Sequence, residues 1–228
     1  MIFYEYHLHP EIDLEGMLKT SEKLGWKGVC LVCKSLESME ELKKRLLNMR
    51  PANDVFFGYR IETNQPENVQ KTARKMRKRV EIIIVQGGDI EVNRAACETS
   101  EIDILSHPEM GRKDSGLDYV MAKLAKGNNV AIEFNFRNVL FSSKKTRSDI
   151  LSSMLENAKL VRKYKTPFVL TSGALEPYDL RSPSELISFG RILGLNTKDI
   201  KENLSDRIIR ENRKRLGGKW IMPGVEIE

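Results

Sequence analysis

Three histidines are all that this chain of 228 residues holds, and each closes an apolar run beside a loop-forming residue. His7 and His9 end IFYEYHLHP, and His107 ends EIDILSHPE. Residues two apart on a strand project to the same side, so both imidazoles of the first pair leave one face. Together with Glu62, at the end of the run VFFGYRI, and with His107 they could make one four-ligand nitrogen and oxygen site suited to zinc or manganese. A centre of two or three metals needs more carboxylates and histidines to hold its ions and activate water. The chain has no further histidine to offer, which argues against a multinuclear centre and leaves room for one weakly bound divalent metal. The competing reading is plainer, because a polar residue at a strand end also serves to close a loop by hydrogen bonding.

Other candidate groups are weaker. Cys30 and Cys33 form a C-x-x-C inside GVCLVCK, which reads as a strand, where residues three apart face opposite ways and cannot share a metal or a bond. They and Cys97 read as buried, inert thiols. The net charge of +6 is compatible with a polyanionic partner. Its basic residues cluster between Lys71 and Arg79, at Lys144, Lys145 and Arg147, and from Arg207 to Lys219. Each cluster also reads as an ordinary solvated helix face.

The elements that would position these groups alternate along the chain. Apolar runs at Ile2–Leu8, Gly28–Cys33, Val55–Ile61, Val80–Val85, Ile102–Leu105, Val130–Phe134 and Phe168–Leu170 read as strands. Between them Leu14, Met17, Leu18 and Leu24 follow a helical period behind Asp13, and Ser38 with Glu41 suggests a capping box. Pro66 opens a basic helix ending near Arg79, and further helices are expected at Glu91–Cys97, Gly116–Lys126 and Thr146–Tyr164. Ser182, Pro183 and Glu185 form a strong start signal for another. Gly194 stops that helix, and a last one should run from Asn196 or Thr197 toward Leu216. The tail GGKWIMPGVEIE reads as irregular.

Repeated strand-then-helix units imply a parallel sheet with helices outside it. Seven such strands fit a single α/β domain over residues 1–228, a TIM-like (β/α) barrel that is incomplete unless an eighth strand, which the pattern leaves open, completes it. No stretch of 18 apolar residues and no signal-peptide layout is present, so a soluble, cytoplasmic protein is expected. Function in such a barrel sits at the C-terminal strand ends. Here those ends carry His7 and His9, Glu62, Gln86 to Asp89, Ser106 and His107, Glu133, Asn135 and Arg137, then Thr171 and Ser172.

The series VQGGDIEVNRAACE, DILSHPE, GRKDSGLD, AIEFNFR and TSGALEPYDLRSPSELISFGRILGL resembles the component 3 family of archaeal ribonuclease P proteins, over essentially the full chain. That family is similar to a degenerate branch of the polymerase-and-histidinol-phosphatase (PHP) phosphoesterases, a relation that accounts for His7, His9, Glu62 and His107. The pattern departs from the phosphoesterases where VCKSLES follows the second strand and TSGALEPYD follows the seventh, without the histidines and aspartates expected there. The resemblance implies a subunit of the particle that removes the 5′ leader from precursor tRNA, with the catalytic centre carried by RNA. Its implied partners are the ribonuclease P RNA and a small ferredoxin-like protein subunit, with precursor tRNA engaged indirectly and no membrane. It implies phosphate contacts from Arg94, Arg112, Arg137 and Arg181, with Lys144, Lys145 and Arg191 as further additions. Gly87 and Gly88, ahead of a helix N-terminus, could admit an anion. Arg137 and Arg181 could instead pair internally with Glu133 and Asp179. His107 could be a protonatable phosphate contact, a metal ligand or a satisfied core group. A PHP-type phosphoesterase with a reduced site is the alternative function, and a purely protein-binding scaffold a third.

Overall fold

The computed structural model describes residues 2–217, together with the backbone of 220–222 and 225–226. The chain runs β1 (Tyr4–Leu8), α1 (Leu14–Lys23), β2 (Gly28–Cys33), α2 (Leu36–Met49), β3 (Asp54–Ile61), α3 (Pro66–Met76) and β4 (Ile82–Gln86). It continues with α4 (Ile90–Glu98), β5 (Ile104–Ser106), α5 (Tyr119–Asn128), β6 (Ala131–Asn135), α6 (Phe136–Phe141), α7 (Lys144–Tyr164) and β7 (Phe168–Thr171). Then come α8 (Pro183–Ile192), α9 (Thr197–Asn203), α10 (Arg207–Leu216) and the short strands β8 (Trp220–Met222) and β9 (Val225–Glu226).

The first seven strands are all parallel and pair in sequence order. Their unbroken apolar runs reflect burial on both faces. Val29, Leu31, Ile83, Val85, Ile132 and Leu170 pack outward with the helices, while Tyr6, Cys30, Phe56, Ile82, Ile84, Ile104, Ala131 and Val169 fill the barrel. Cys30 and Cys33 accordingly lie in different layers, and both are buried and free, as is Cys97.

The barrel is nearly closed. β1 and β7 lie side by side without a hydrogen-bonded ladder. Side-chain and loop contacts bridge that seam instead. The buried Glu5 carboxylate accepts from the backbone N–H of His7 (3.1 Å) and of Ser172 (2.9 Å), and His9 N–H donates to the Ala174 carbonyl (2.9 Å). Burial pushes the Glu5 carboxyl up to about 7, although the Ser172 and His7 amides oppose the shift.

Where a complete barrel would add an eighth strand, α9 and α10 instead close the N-terminal mouth. Ile209 enters the interior beside Tyr4, Tyr6 and Phe56, and Tyr6 Oη donates to the Ser205 carbonyl (2.5 Å). The expected single last helix is therefore two helices. The chain breaks after Leu204, which is buried and whose carbonyl accepts from Tyr4 N–H (2.7 Å).

Several other expectations shift. Ser35, not Ser38, caps α2, accepting from Ser38 N–H at 3.1 Å. α5 starts behind Asp118, which accepts from Met121 N–H (2.7 Å), because Gly116 holds a left-handed φ of 68° that a helix cannot use. α6 was not expected at all. Ser182 and Glu185 do form the capping box of α8. The tail is not wholly irregular, since β8 and β9 pair antiparallel, and its other residues from Gly218 on lie outside the described residues. No helix among the described residues is long and apolar enough to cross a membrane.

Candidate functional site

Alternation along the strands delivers a polar cluster to the C-terminal mouth. On β6, Ile132 and Phe134 face the helices, so Glu133 faces the barrel axis and is buried. Its Oε1 accepts from His7 Nδ1 (2.8 Å), Thr171 Oγ1 (2.5 Å) and Asn135 Nδ2 (3.2 Å), and Ser106 Oγ makes a short bond to Oε2. Burial alone would raise this carboxyl, but the His7 and His107 imidazoles and the Ser106 hydroxyl outweigh it and hold Glu133 well below the usual carboxylate range.

The three histidines do meet. The His7 ring lies 4.8 Å from that of His9 and 6.3 Å from that of His107, centroid to centroid. Burial, reinforced by His7, Arg60 and Arg137, pushes His9 down to about 2. Burial likewise takes His107 down to about 4, against the pull of Glu133. His107 is thus neutral near pH 7 and offers no protonated contact to phosphate. Its Nδ1 accepts from Asn138 Nδ2 (2.7 Å), which also reaches Glu109 Oε1 at 3.4 Å, and its backbone takes a left-handed φ of 50°. Burial pushes the Glu109 carboxyl up to about 7.

Glu62 does not join them. It is exposed and pairs with Arg60 (2.5 Å) and Lys34 (3.9 Å). Among the described residues, no group of three or more His, Cys, Asp or Glu side chains is placed to hold a metal ion. The mouth sets its imidazoles near two guanidiniums, and its Glu133 carboxylate is saturated by four donors. Hard divalent ions such as manganese and magnesium favour carboxylate oxygens with free lone pairs, and Glu133 has none to spare, so the donor set does not fit such an ion. His7 Nε2 is buried without a partner among the described residues.

The basic residues sort into distinct situations. Arg94 is exposed on α4 and pairs one turn along with Glu98 (2.9 Å). Arg112 holds Asp114 through two bonds (2.6 and 2.8 Å) and donates to the Gly88 carbonyl (3.1 Å). Arg137 does not pair with Glu133; its guanidinium lies 5.1 Å over the Phe141 ring and its Nε is buried without a partner. Arg181 does not pair with Asp179, whose carboxylate accepts from the backbone of Leu175 and Glu176; it sits over Phe136 and donates to two carbonyls. Lys144 and Lys145 are exposed in the first turn of α7. Arg191 is also exposed, but in the last turn of α8, the turn farthest from the strand ends. The expected anion position at Gly87 and Gly88 is already filled, because Asp89 caps α4 by accepting from Glu91 N–H (2.9 Å) and Val92 N–H (3.0 Å).

Four residues escaped the sequence reading. Arg60 was detectable, since it alternates inward with Phe56 and Gly58 two positions before Glu62. Glu109 and Asn138 carry no local signal, because only folding brings them to His107. Asn93 likewise acts at a distance. It accepts from Gly88 N–H (3.1 Å) and donates to the Pro108 (2.9 Å) and Gly116 (2.8 Å) carbonyls, tying the loop ahead of α4 to the β5–α5 loop that carries Arg112.

The family model described as RNase P subunit p30 matches residues 2–216. Ribonuclease P protein component 3 of Methanococcus maripaludis strain C6 is 39% identical over 206 residues, covering 90% of this chain and 85% of that protein. A chain of an archaeal ribonuclease P solved by cryo-EM with mature tRNA superimposes with a TM-score of 0.84 at 32% identity, covering 97% of both chains. A Listeria monocytogenes protein described as a histidinol phosphatase shares the fold at a TM-score of 0.50 and 12% identity, covering 80% of this chain and 99% of that one.

Proposed function

The chain belongs to the RNase P subunit p30 family, and from that premise we propose how its barrel serves the enzyme. It is a protein subunit of ribonuclease P and acts in tRNA processing. Its role is assembly: it lends cations to the RNA, which carries the cleavage of the 5′ leader, and supplies no catalytic group of its own. The full-length correspondence to a chain of an archaeal ribonuclease P carries this reading. The mouth's donor set supports it, since Glu133 is spent on four donors and Glu62 points away from the histidines.

Phosphate contacts are assigned to Arg94, Arg112, Arg137, Arg181, Lys144 and Lys145 around the C-terminal face, with Arg191 more remote and His107 a neutral donor. Each cation that meets a phosphate displaces condensed counterions, so affinity should fall steeply with salt. A small ferredoxin-like ribonuclease P protein is the proposed protein partner, and the cytoplasm the proposed location.

The test is precursor-tRNA cleavage by reconstituted archaeal ribonuclease P RNA with its other proteins at low magnesium, with and without this chain. The chain alone is assayed beside it. Dependence on the chain within the complex, with no hydrolysis by the chain alone, is expected. Cleavage indifferent to its presence, or hydrolysis by the chain alone that is lost in His7→Ala, would overturn the reading.

A further inference from the structure

Beside the barrel mouth the β5–α5 loop, α6 and the start of α7 enclose a groove of about 900 Å³. Glu109, Asn138 and Arg137 join it to the histidine cluster, Arg112 and Lys113 line one side, and Lys145 and Thr146 line the other. Phe141 stands in it with 63% of its surface exposed, the one phenylalanine among the described residues to lie so open. The guanidinium of Arg137 lies 5.1 Å over its ring.

Three features identify the occupant. The first is charge. Among the described residues, Lys113 and Lys145 are exposed and make no ion pair. α7 begins behind Ser143 without a side-chain cap and has no acid in its first turn, so its leading N–H groups add to the positive rim. Asp149 and Glu156 also line the groove, further along α7, so the cationic part is the end formed by Lys113, Arg137 and Lys145. The second is the lining, in which hydroxyls and charged groups alternate with Phe141 and Met110. The core of a protein interface is depleted of charge, whereas a single nucleic-acid strand is held by a cationic groove with an aromatic platform. The third is the platform itself. An exposed ring beside a guanidinium plane offers stacking to a splayed base, which a duplex does not present.

We propose that this groove binds a short unpaired ribonucleotide segment, one base stacked on Phe141 and its phosphates between Lys113, Lys145 and Arg137. The inference rests on the subunit reading and gives it a defined RNA site. The unpaired segment could belong to the particle's own RNA or to the precursor's leader, and the test separates the two.

Phe141→Trp keeps the platform and makes it fluorescent, while Phe141→Ala removes it. In the reconstituted complex, quenching of the added tryptophan emission relative to wild type is expected when RNA occupies the groove. Quenching on addition of ribonuclease P RNA assigns the particle's RNA. Quenching only on addition of leader-bearing precursor, and not of mature tRNA, assigns the leader. Phe141→Ala should weaken binding of that RNA by between about 5-fold and 100-fold, and Phe141→Trp should retain it. Absence of quenching with either RNA, unchanged affinity in Phe141→Ala, or quenching by the partner proteins alone would overturn the proposal. If the chain is nevertheless required for leader cleavage, the subunit reading stands and only the groove fails. If it is not required, the reading itself has failed.

Discussion

The two mouths of one barrel solve opposite problems. At the N-terminal mouth α10 is drawn in as a stopper, with Ile209 in the interior and Asn212 donating to Asp103 (2.8 Å). Asp103 also accepts from Arg77 (2.7 Å) and from Ile83 N–H (2.7 Å), and Arg213 grips Asp54 through two bonds of 2.7 Å. Arg77 and Arg213, one from each of the two longest basic runs, are thus engaged in holding the fold together. At the C-terminal mouth the cations are fewer, yet among the described residues Arg137, Lys113 and Lys145 have no carboxylate partner, His7 Nε2 is without a partner, and a groove leads away from the cluster. The two mouths differ in what their cations do: at the lower one Arg77 and Arg213 are spent on carboxylates of the fold, and at the upper one Arg137 stacks on an aromatic ring instead.

Breaking the lower mouth should cost the most. Asp103→Ala takes the carboxylate from a largely buried guanidinium that keeps only carbonyl partners, and leaves two further donors without an acceptor; it should destabilise the chain by roughly 3 kcal/mol. Urea unfolding measures it, and a loss below about 1 kcal/mol would mean that the stopper is not tied there. Ile209→Ala removes the apolar part of the same stopper, at an expected cost of about 2–5 kcal/mol.

The upper mouth should reveal itself through pH. Burial raises the Glu109 carboxyl to about 7 from an ordinary 4.5, so the folded chain keeps a proton there that the unfolded chain releases. Stability conferred by this site therefore falls as pH rises from about 4.5 to 7. Glu109→Gln has no proton to lose, so its stability relative to wild type should increase across that window by up to roughly 3 kcal/mol. His9 and His107, both pushed down, have the opposite slope, which cancels when variant and wild type are compared. Equal denaturation profiles at pH 5 and pH 8 would show that Glu109 is not protonated in the fold.

The smallest effect on the fold should come from Lys145→Ala. The unfolding midpoint should not move, while the dependence of log affinity for ribonuclease P RNA on log salt should shallow by about one. An unchanged slope would remove Lys145 from the RNA-facing set.

Much of this was legible in the chain. Apolar runs gave all seven strands within a few residues, because strands buried on both faces leave a continuous local signal. The capping box of α8 was equally readable, whereas the pattern left open whether an eighth strand completes the barrel. Strand alternation placed His7, Glu133 and Arg60 at one mouth in principle, although Arg60 was overlooked. The family motifs, short but numerous and in order, carried the function.

Other features had no local signature. The split between α9 and α10 follows from a carbonyl of Leu204 that serves β1, some two hundred residues away in sequence. The groove at Phe141 exists only because α6, an element with no periodic signal, turns the chain back beside the β5–α5 loop. The sequence by itself determined the barrel, its order of strands and its kinship, since these rest on local periodicity and contiguous motifs. Which arginine is paired and which is free, whether Glu62 meets the histidines, and which mouth stays open were decided only by tertiary structure. Each depends on the distance between side chains far apart in the chain, and burial and pairing then set their charge.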